Sequence, residues 1–147
     1  MASAAQVVSP LYSGDVSPSE CWSALTNDAR AQLVDVRTQP EWSFSGLPTL
    51  DALGKTVKTI SWKNYPNFEV NPRFIEQLEA AVADKSTPLY FLCKTGGRST
   101  DAAIAATAAG YAYCFNIIGG FEGDINGNYQ RGQINGWKAS KLPWQQA

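Results

Sequence analysis

"YFLCKTGGRST", residues 90–100, decides how this 147-residue chain reads. Tyr90, Phe91 and Leu92 are strand formers, and they run directly into Cys93. Lys94, Thr95, Gly96, Gly97 and Arg98 make a glycine-rich turn, and "STDAAIAATAAG" (99–110) reads as a helix closed by Gly110. In parallel α/β sheets, ligands bind beyond the carboxyl ends of the strands, and Cys93 stands at such an end. A helix start aims unpaired N–H groups and a positive dipole end at that position. Gly96 and Gly97 permit positive φ, so successive N–H groups can turn inward, while Lys94 and Arg98 add fixed positive charge. Such surroundings favour a thiolate over a thiol. A nucleophile is therefore expected at Cys93.

The flanks supply the rest of the fold. "VSPSECWSAL" carries a helix start, with Ser17 as cap, Pro18 at the first helical position and Glu20 completing a capping box. Cys21, Trp22 and Leu25 then share one helical face. "QLVDV" (32–36) reads as a short buried strand, "RTQPEW" as the turn leaving it, and 43–58 as loop. "VKTISW" (57–62) holds a short strand, and Asn71 and Pro72 open a helix with an apolar stripe of Phe74, Ile75, Leu78 and Val82. "YAYCFNII" (111–118) is another strand, "GGFEGD" a glycine turn, and "INGWKASK" (134–141) a short last helix. Alternating strands and helices predict an α/β domain with a central, mainly parallel sheet flanked by helices. Residues 1–16 read as an N-terminal extension and 17–147 as one domain. The stretch from Gly119 to Gly136 reads as a long loop.

Composition removes many functions. The chain has no histidine, which excludes a Ser-His-Asp triad, a Cys-His protease and a His-bearing zinc site. The net charge of −1 argues against a general nucleic-acid or anionic-membrane binder. There is no apolar run near 18 residues and no basic, apolar leader at the start, so the cytoplasm is the expected location. The three cysteines form no CxxC pair and fit reduced thiols. Cys21 and Cys114 lie in apolar periodic segments and read as core. "DINGNYQRGQIN" begins like a calcium loop at Asp124, Asn126 and Asn128, but Tyr129 stands where glycine is needed and Asn135 where the bidentate glutamate belongs.

The "CKTGGRS" loop resembles the active-site loop of the rhodanese family of single-domain sulfurtransferases. "LVDVRTQPEW" (33–42) is similar to that family's upstream Asp-x-Arg signature with a later glutamate, here Asp35, Arg37 and Glu41. "NIIGGFEGD" and "NGWKASKLPW" resemble the strand, double glycine and tryptophan-bearing end of its domain. The family's histidine after the glutamate is missing, and "FSGLPTL" keeps only Gly46, Leu47 and Pro48 of that stretch. The resemblance implies a rhodanese-like fold and transfer of a sulfane sulfur from a donor such as thiosulfate to cyanide or a thiol, through a Cys93 persulfide. It implies no cofactor and no metal. Lys94, Thr95, Gly96, Gly97, Arg98 and Ser99 would bind substrate, with Lys94 and Arg98 holding an anionic donor. Lys94 directly after the cysteine looks more like thiosulfate-type loops than mercaptopyruvate-type ones. Asp35, Arg37 and Glu41 would brace the site, with direct substrate contact as the alternative, and Ser99 and Thr100 would cap the helix rather than act as nucleophiles.

Tyrosine and dual-specificity phosphatases also carry a cysteine–arginine loop, but of Cys-x5-Arg length and with histidine before the cysteine. Here the spacing is Cys-x4-Arg and Leu92 precedes the thiol. A smaller ring of N–H donors suits one added sulfur atom, and a larger ring suits a tetrahedral phosphate. The alternatives left open are a sulfur-carrier or regulatory module without turnover, a cysteine phosphatase and an arsenate reductase. A protein sulfur acceptor is a further expected partner.

Overall fold

A computed structural model describes residues 11–146. The elements in chain order are β1 (Gly14–Val16), α1 (Pro18–Asn27), β2 (Gln32–Asp35), α2 (Gln39–Ser45), β3 (Leu47–Pro48), a 3-10 turn (Asp51–Leu53) and β4 (Lys58–Thr59). They continue with β5 (Lys63–Asn64), β6 (Glu69–Val70), α3 (Phe74–Ala81), β7 (Leu89–Leu92), α4 (Gly97–Ala108), β8 (Cys114–Ile117), α5 (Gly136–Ala139) and β9 (Trp144–Gln145). Five strands form one parallel sheet in the order β1-β8-β7-β2-β4. The pairs β3·β9 and β5·β6 are small and antiparallel.

Strand β7 is central, and all four of its residues are buried. Neighbours on both sides and helices on both faces explain why it reads as an unbroken apolar run. Its side chains alternate between two cores. Leu89, Phe91 and Cys93 join Phe74 and Leu78 of α3 and Ala102, Ala103 and Ala106 of α4. Tyr90 and Leu92 join Cys21 and Leu25 of α1 and Trp137 of α5. The small alanines let α4 lie close on the sheet. Tyr90 stacks on Phe115 at 5.0 Å, and Trp22 meets Trp137 edge-on at 6.1 Å. Cys21 and Cys114 are buried free thiols in these cores, and burial pushes both thiols up from the ordinary cysteine range.

Parallel register brings the chemistry to one end of the sheet. Asp35 pairs with Leu92, Phe91 with Asn116, and Asn116 with Asp15. Cys93 follows Leu92, so Asp15, Asn116, Cys93 and Asp35 all stand at or beside the carboxyl ends of adjacent strands. Helix α1 begins with the expected capping box: Ser17 Oγ accepts from Glu20 N at 3.0 Å, and Glu20 Oε1 accepts from Ser17 N at 2.7 Å.

Three expectations change. The boundary expected at residue 17 lies inside the sheet's sequence, because Gly14–Val16 pairs with Phe115–Ile117 as the edge strand β1. Residues 1–10 of the expected extension lie outside the described residues. "RTQPEW" is the entrance to helix α2 as well as a turn, because Pro40 fits the first turn of a helix and the Glu41 carboxylate accepts from Thr38 N at 3.1 Å. Residues 43–58 contain the end of α2, β3 and the 3-10 turn. The Gly119–Gly136 stretch carries no helix or strand before α5 begins at Gly136. No helix among the described residues is long and apolar enough to cross a membrane.

Strand β1 is held by main-chain bonds at both ends, Ser13 N to Cys114 O at 2.8 Å and Ile118 N to Val16 O at 2.9 Å. A chain truncated before Ser17 is expected to lose at least about 2 kcal/mol of unfolding free energy relative to one truncated before Leu11, at roughly 0.5–1.5 kcal/mol per hydrogen bond. Urea denaturation of the two truncations measures this, and equal midpoints would restore the boundary at residue 17.

Candidate active site

Cys93 is 1% exposed and sits where β7 turns into α4. Its Sγ accepts a hydrogen bond from Gly96 N at 3.0 Å, and Ser99 Oγ lies 3.2 Å away. Gly96 is the N-cap of α4 at φ 118°, a backbone conformation that favours glycine. Helix α4 thus starts at Gly97, two residues before the expected Ser99, and its N-cap residue Gly96 gives its N–H to the thiol. Ser99 is fully buried and turned to the sulfur, so it does not cap. Thr100 Oγ1 donates backward to Gly96 O at 2.8 Å.

The loop's carbonyls point the other way because the glycine turn after β8 holds them. Phe121 N donates to Cys93 O at 2.7 Å, and Glu122 N and Gly123 N donate to Lys94 O at 3.0 and 3.2 Å. This approach needs glycine. A Cβ on Gly120, which has φ 63°, would lie 2.5 Å from Cys93 O and from the Lys94 carbonyl. With these carbonyls bound outward, the turn is fixed in the shape that brings Gly96 N to the sulfur.

Beneath the loop, Asp35 and Arg37 form a fully buried ion pair at 2.7 Å, with both carboxylate oxygens engaged. Asp35 Oδ1 also accepts from Arg37 N, and Arg37 Nη2 donates to Gly46 O at 2.8 Å. The Arg37 guanidinium lies 4.3 Å from the ring of Phe121, and Lys138 Nζ lies 5.0 Å from the same ring. The ring adjoining the amide that binds Cys93 O is therefore flanked by two cations.

Arg98 forms a two-pronged pair with Glu41, at 2.7 Å for Nη1–Oε1 and 2.8 Å for Nη2–Oε2. Burial works to raise the Glu41 carboxyl. The hydrogen bonds and charge of Arg98, with two bonds from Thr38, outweigh it and hold the group at about 2. Hydrogen bonding to Glu41 lifts Arg98 above its ordinary range against burial, and the Cys93 and Asp35 charges add to the lift. Lys94 is half-buried and enters no ion pair among the described residues. Thr95 and Gly97 are exposed at the loop's rim.

The structure thus gathers Cys93, Lys94, Thr95, Gly96, Gly97, Arg98 and Ser99 in one loop, with Asp35, Arg37 and Glu41 around it. Sequence reasoning missed Asn116, whose Oδ1 is 2.6 Å from Ser99 Oγ, and the bond of Phe121 N to Cys93 O. The signal for Asn116 was present: a polar residue inside the buried strand "CFNI" must find partners.

This α/β fold is that of rhodanese-like domains, and comparisons with known proteins agree. The chain belongs to the family of the STR4 middle domain, whose profile matches residues 13–147. It is 36% identical over 132 residues to "Uncharacterized protein RC0915" of Rickettsia conorii, covering 89% of this chain and 96% of that one. It is 30% identical to "Rhodanese-like domain-containing protein 4, chloroplastic" of Arabidopsis thaliana, over 89% of this chain and 25% of that protein. The crystal structure of Rv0390 from M. tuberculosis superposes with a TM-score of 0.86 at 39% identity, covering 92% of this chain and 99% of that one. The fold is shared with the polysulfide-sulfur transferase homodimer of Wolinella succinogenes, with a TM-score of 0.63 at 19% identity and coverage of 93% and 80%.

Glu41, held low in the folded protein, stabilises it fully above the ordinary carboxylate value of 4.5, and that contribution is lost as pH falls to about 2. Glu41→Gln is expected to be less stable than wild type at pH 7, by about 2–3 kcal/mol. The gap should narrow steadily between about pH 4.5 and pH 2. Denaturant midpoints across that range test it, and a gap independent of pH would refute the pairing.

Proposed function

We propose that the protein is a sulfurtransferase that carries a sulfane sulfur on Cys93. The observation behind this reading is the Cys93 sulfur held at the start of α4, with Gly96 N donating to it at 3.0 Å and the carbonyls of Cys93 and Lys94 bound by the turn after β8. The Cys93 thiolate attacks the outer sulfur of a donor such as thiosulfate. A sulfur–sulfur bond forms to Sγ, the bond within thiosulfate breaks, and sulfite leaves with its electron pair. Cyanide or a thiolate then attacks the terminal sulfur of the persulfide, takes it, and returns Cys93 as thiolate. No electrons enter or leave, so the cycle needs no redox cofactor.

The loop amides carry the negative charge of the thiolate and of the persulfide's terminal sulfur. Lys94 offers its charge to an anionic donor at the loop's rim. Arg98 contributes to the field around the sulfur, while its fork is engaged by Glu41. A phosphoryl group is best gripped by an arginine fork free to bind two oxygens. The engaged fork therefore supports the sulfur reading over phosphatase or arsenate chemistry. Asp35 and Arg37 act as a brace, since both are fully buried. The partners are a small sulfane-sulfur anion and a cyanide or thiol acceptor, with a protein thiol as a further acceptor.

Incubation with thiosulfate, removal of excess and intact-mass measurement is expected to add about 32 Da, one sulfur atom, to wild type and nothing to Cys93→Ser. Added cyanide should remove that mass. Mass gain without catalytic turnover toward cyanide or thiols would favour a carrier module, and no gain from thiosulfate or polysulfide would overturn the proposal.

A further inference from the structure

Asn116 is 4% exposed, and its amide links the protein surface to Cys93. Its Nδ2 donates to Asp15 Oδ1 at 3.0 Å, and its Oδ1 lies 2.6 Å from Ser99 Oγ. Ser99 Oγ in turn lies 3.2 Å from Cys93 Sγ. Asp15 is exposed, Ser99 is fully buried, and Tyr12 Oη also donates to Asp15 Oδ1, at 2.9 Å.

The Ser99 hydroxyl has one proton, and two acceptors compete for it. The Asp15 carboxylate can only accept, so it holds the amide nitrogen of Asn116 toward itself and leaves the amide oxygen facing Ser99. A buried amide oxygen without a donor bears its whole desolvation cost. The 2.6 Å contact is a full O–H···O bond, and the need of the buried amide oxygen for a donor assigns the Ser99 proton to the Asn116 side. Ser99 then turns a lone pair to Cys93. That lone pair accepts the S–H of a thiol but opposes a thiolate, which can only accept.

We propose that Asn116, locked by Asp15, is a positioning residue that sets the direction of the Ser99 hydroxyl and so restrains ionisation of Cys93. When Cys93 loses its proton to water, the Ser99 hydroxyl rotates to donate to the thiolate and abandons Asn116. When sulfur is attached and Sγ becomes neutral, the hydroxyl returns. The restraint has a use, because a thiolate made too stable is a poorer nucleophile. This inference rests on Cys93 being the nucleophile of the proposed reaction, and its test is independent of the sulfur donor.

Other charges around Cys93 are Asp35 at the end of β2, Arg37 just after it, Glu41 from α2, Arg98 from α4, Lys94 from its own loop and Lys138 from α5 beyond Phe121. All stay in place in the following variants. The pH profile of Cys93 alkylation by iodoacetamide, read by mass, reports the thiolate directly. Asn116→Leu removes the competing acceptor, and its profile midpoint is expected to fall below wild type by about half to one pH unit, the worth of one hydrogen bond. Asp15→Asn, an exposed change on β1, unlocks the amide and should move the midpoint in the same direction by less. In a Ser99→Ala background both shifts should disappear. An unchanged midpoint in Asp15→Asn and Asn116→Leu overturns the proposal. So does a shift that persists without the Ser99 hydroxyl, because charge or packing would then act on the sulfur directly. Should Asn116→Leu fail to fold, Asp15→Asn with and without Ser99 decides the matter.

Discussion

Three main-chain hydrogen bonds, from Phe121, Glu122 and Gly123 to the carbonyls of Cys93 and Lys94, are the constraint on which this site depends. A peptide unit has its N–H and C=O on opposite sides. Binding the carbonyls from outside fixes the turn in which Gly96 N reaches the sulfur. The two segments are far apart in sequence, and they meet because β7 and β8 are adjacent and parallel. Each strand delivers its own glycine turn to the same end of the sheet. Gly120 has a backbone-filled space where a side chain would begin, so the approach is as close as two chains allow.

The electrostatics follow a second rule: the cations most deeply placed near the sulfur have assigned anions. Arg37 belongs to Asp35, and Arg98 belongs to Glu41. A buried guanidinium without a partner would cost several kcal/mol, and these pairs offset that while fixing geometry. Their acids arrive from the end of β2 and from α2, and their purpose is mechanical as much as electrostatic. Asp35–Arg37 supports Phe121 from below, and Glu41–Arg98 ties α2 to the first turn of α4. Removing either acid would disturb the loop through the arginine left behind.

Polarity inside the sheet has the same character. Asn116 is an exception in an apolar strand, and its exception is organised: one end is tied to a surface carboxylate and the other to the hydroxyl beside the sulfur. Edge strand β1 thus does more than complete the sheet. Through Asp15 it extends the hydrogen bonding around Cys93 to solvent. The long stretch from Gly119 starts as part of the site, because Phe121, Glu122 and Gly123 bind the cysteine loop. The remainder returns to place Trp137 in the core and Lys138 over Phe121 and Trp144.

Most of the fold was legible from local chemistry. The capping box at Ser17 and Glu20, the apolar stripe of α3, the unbroken run of β7 and the alanine-rich α4 are short-range signals, and each marks an element seen in the structure. The glycine-flanked thiol marked the site for the same reason: cysteine, two glycines and a helix start lie within six residues. The short strands β1, β3 and β9 were not legible, because two or three residues carry no period and form only where a neighbour offers an edge. Ser99 reads as a cap by residue type, and only the three-dimensional position of Asn116 and Cys93 turns its hydroxyl inward. The pairing of Arg98 with Glu41 spans 57 residues and no local rule reaches it. Sequence alone thus determined which residues are candidates for chemistry, since composition and spacing leave Cys93 as the candidate nucleophile. Tertiary structure decided which partner each of them has, because hydrogen bonds and ion pairs are chosen by distance after packing has closed.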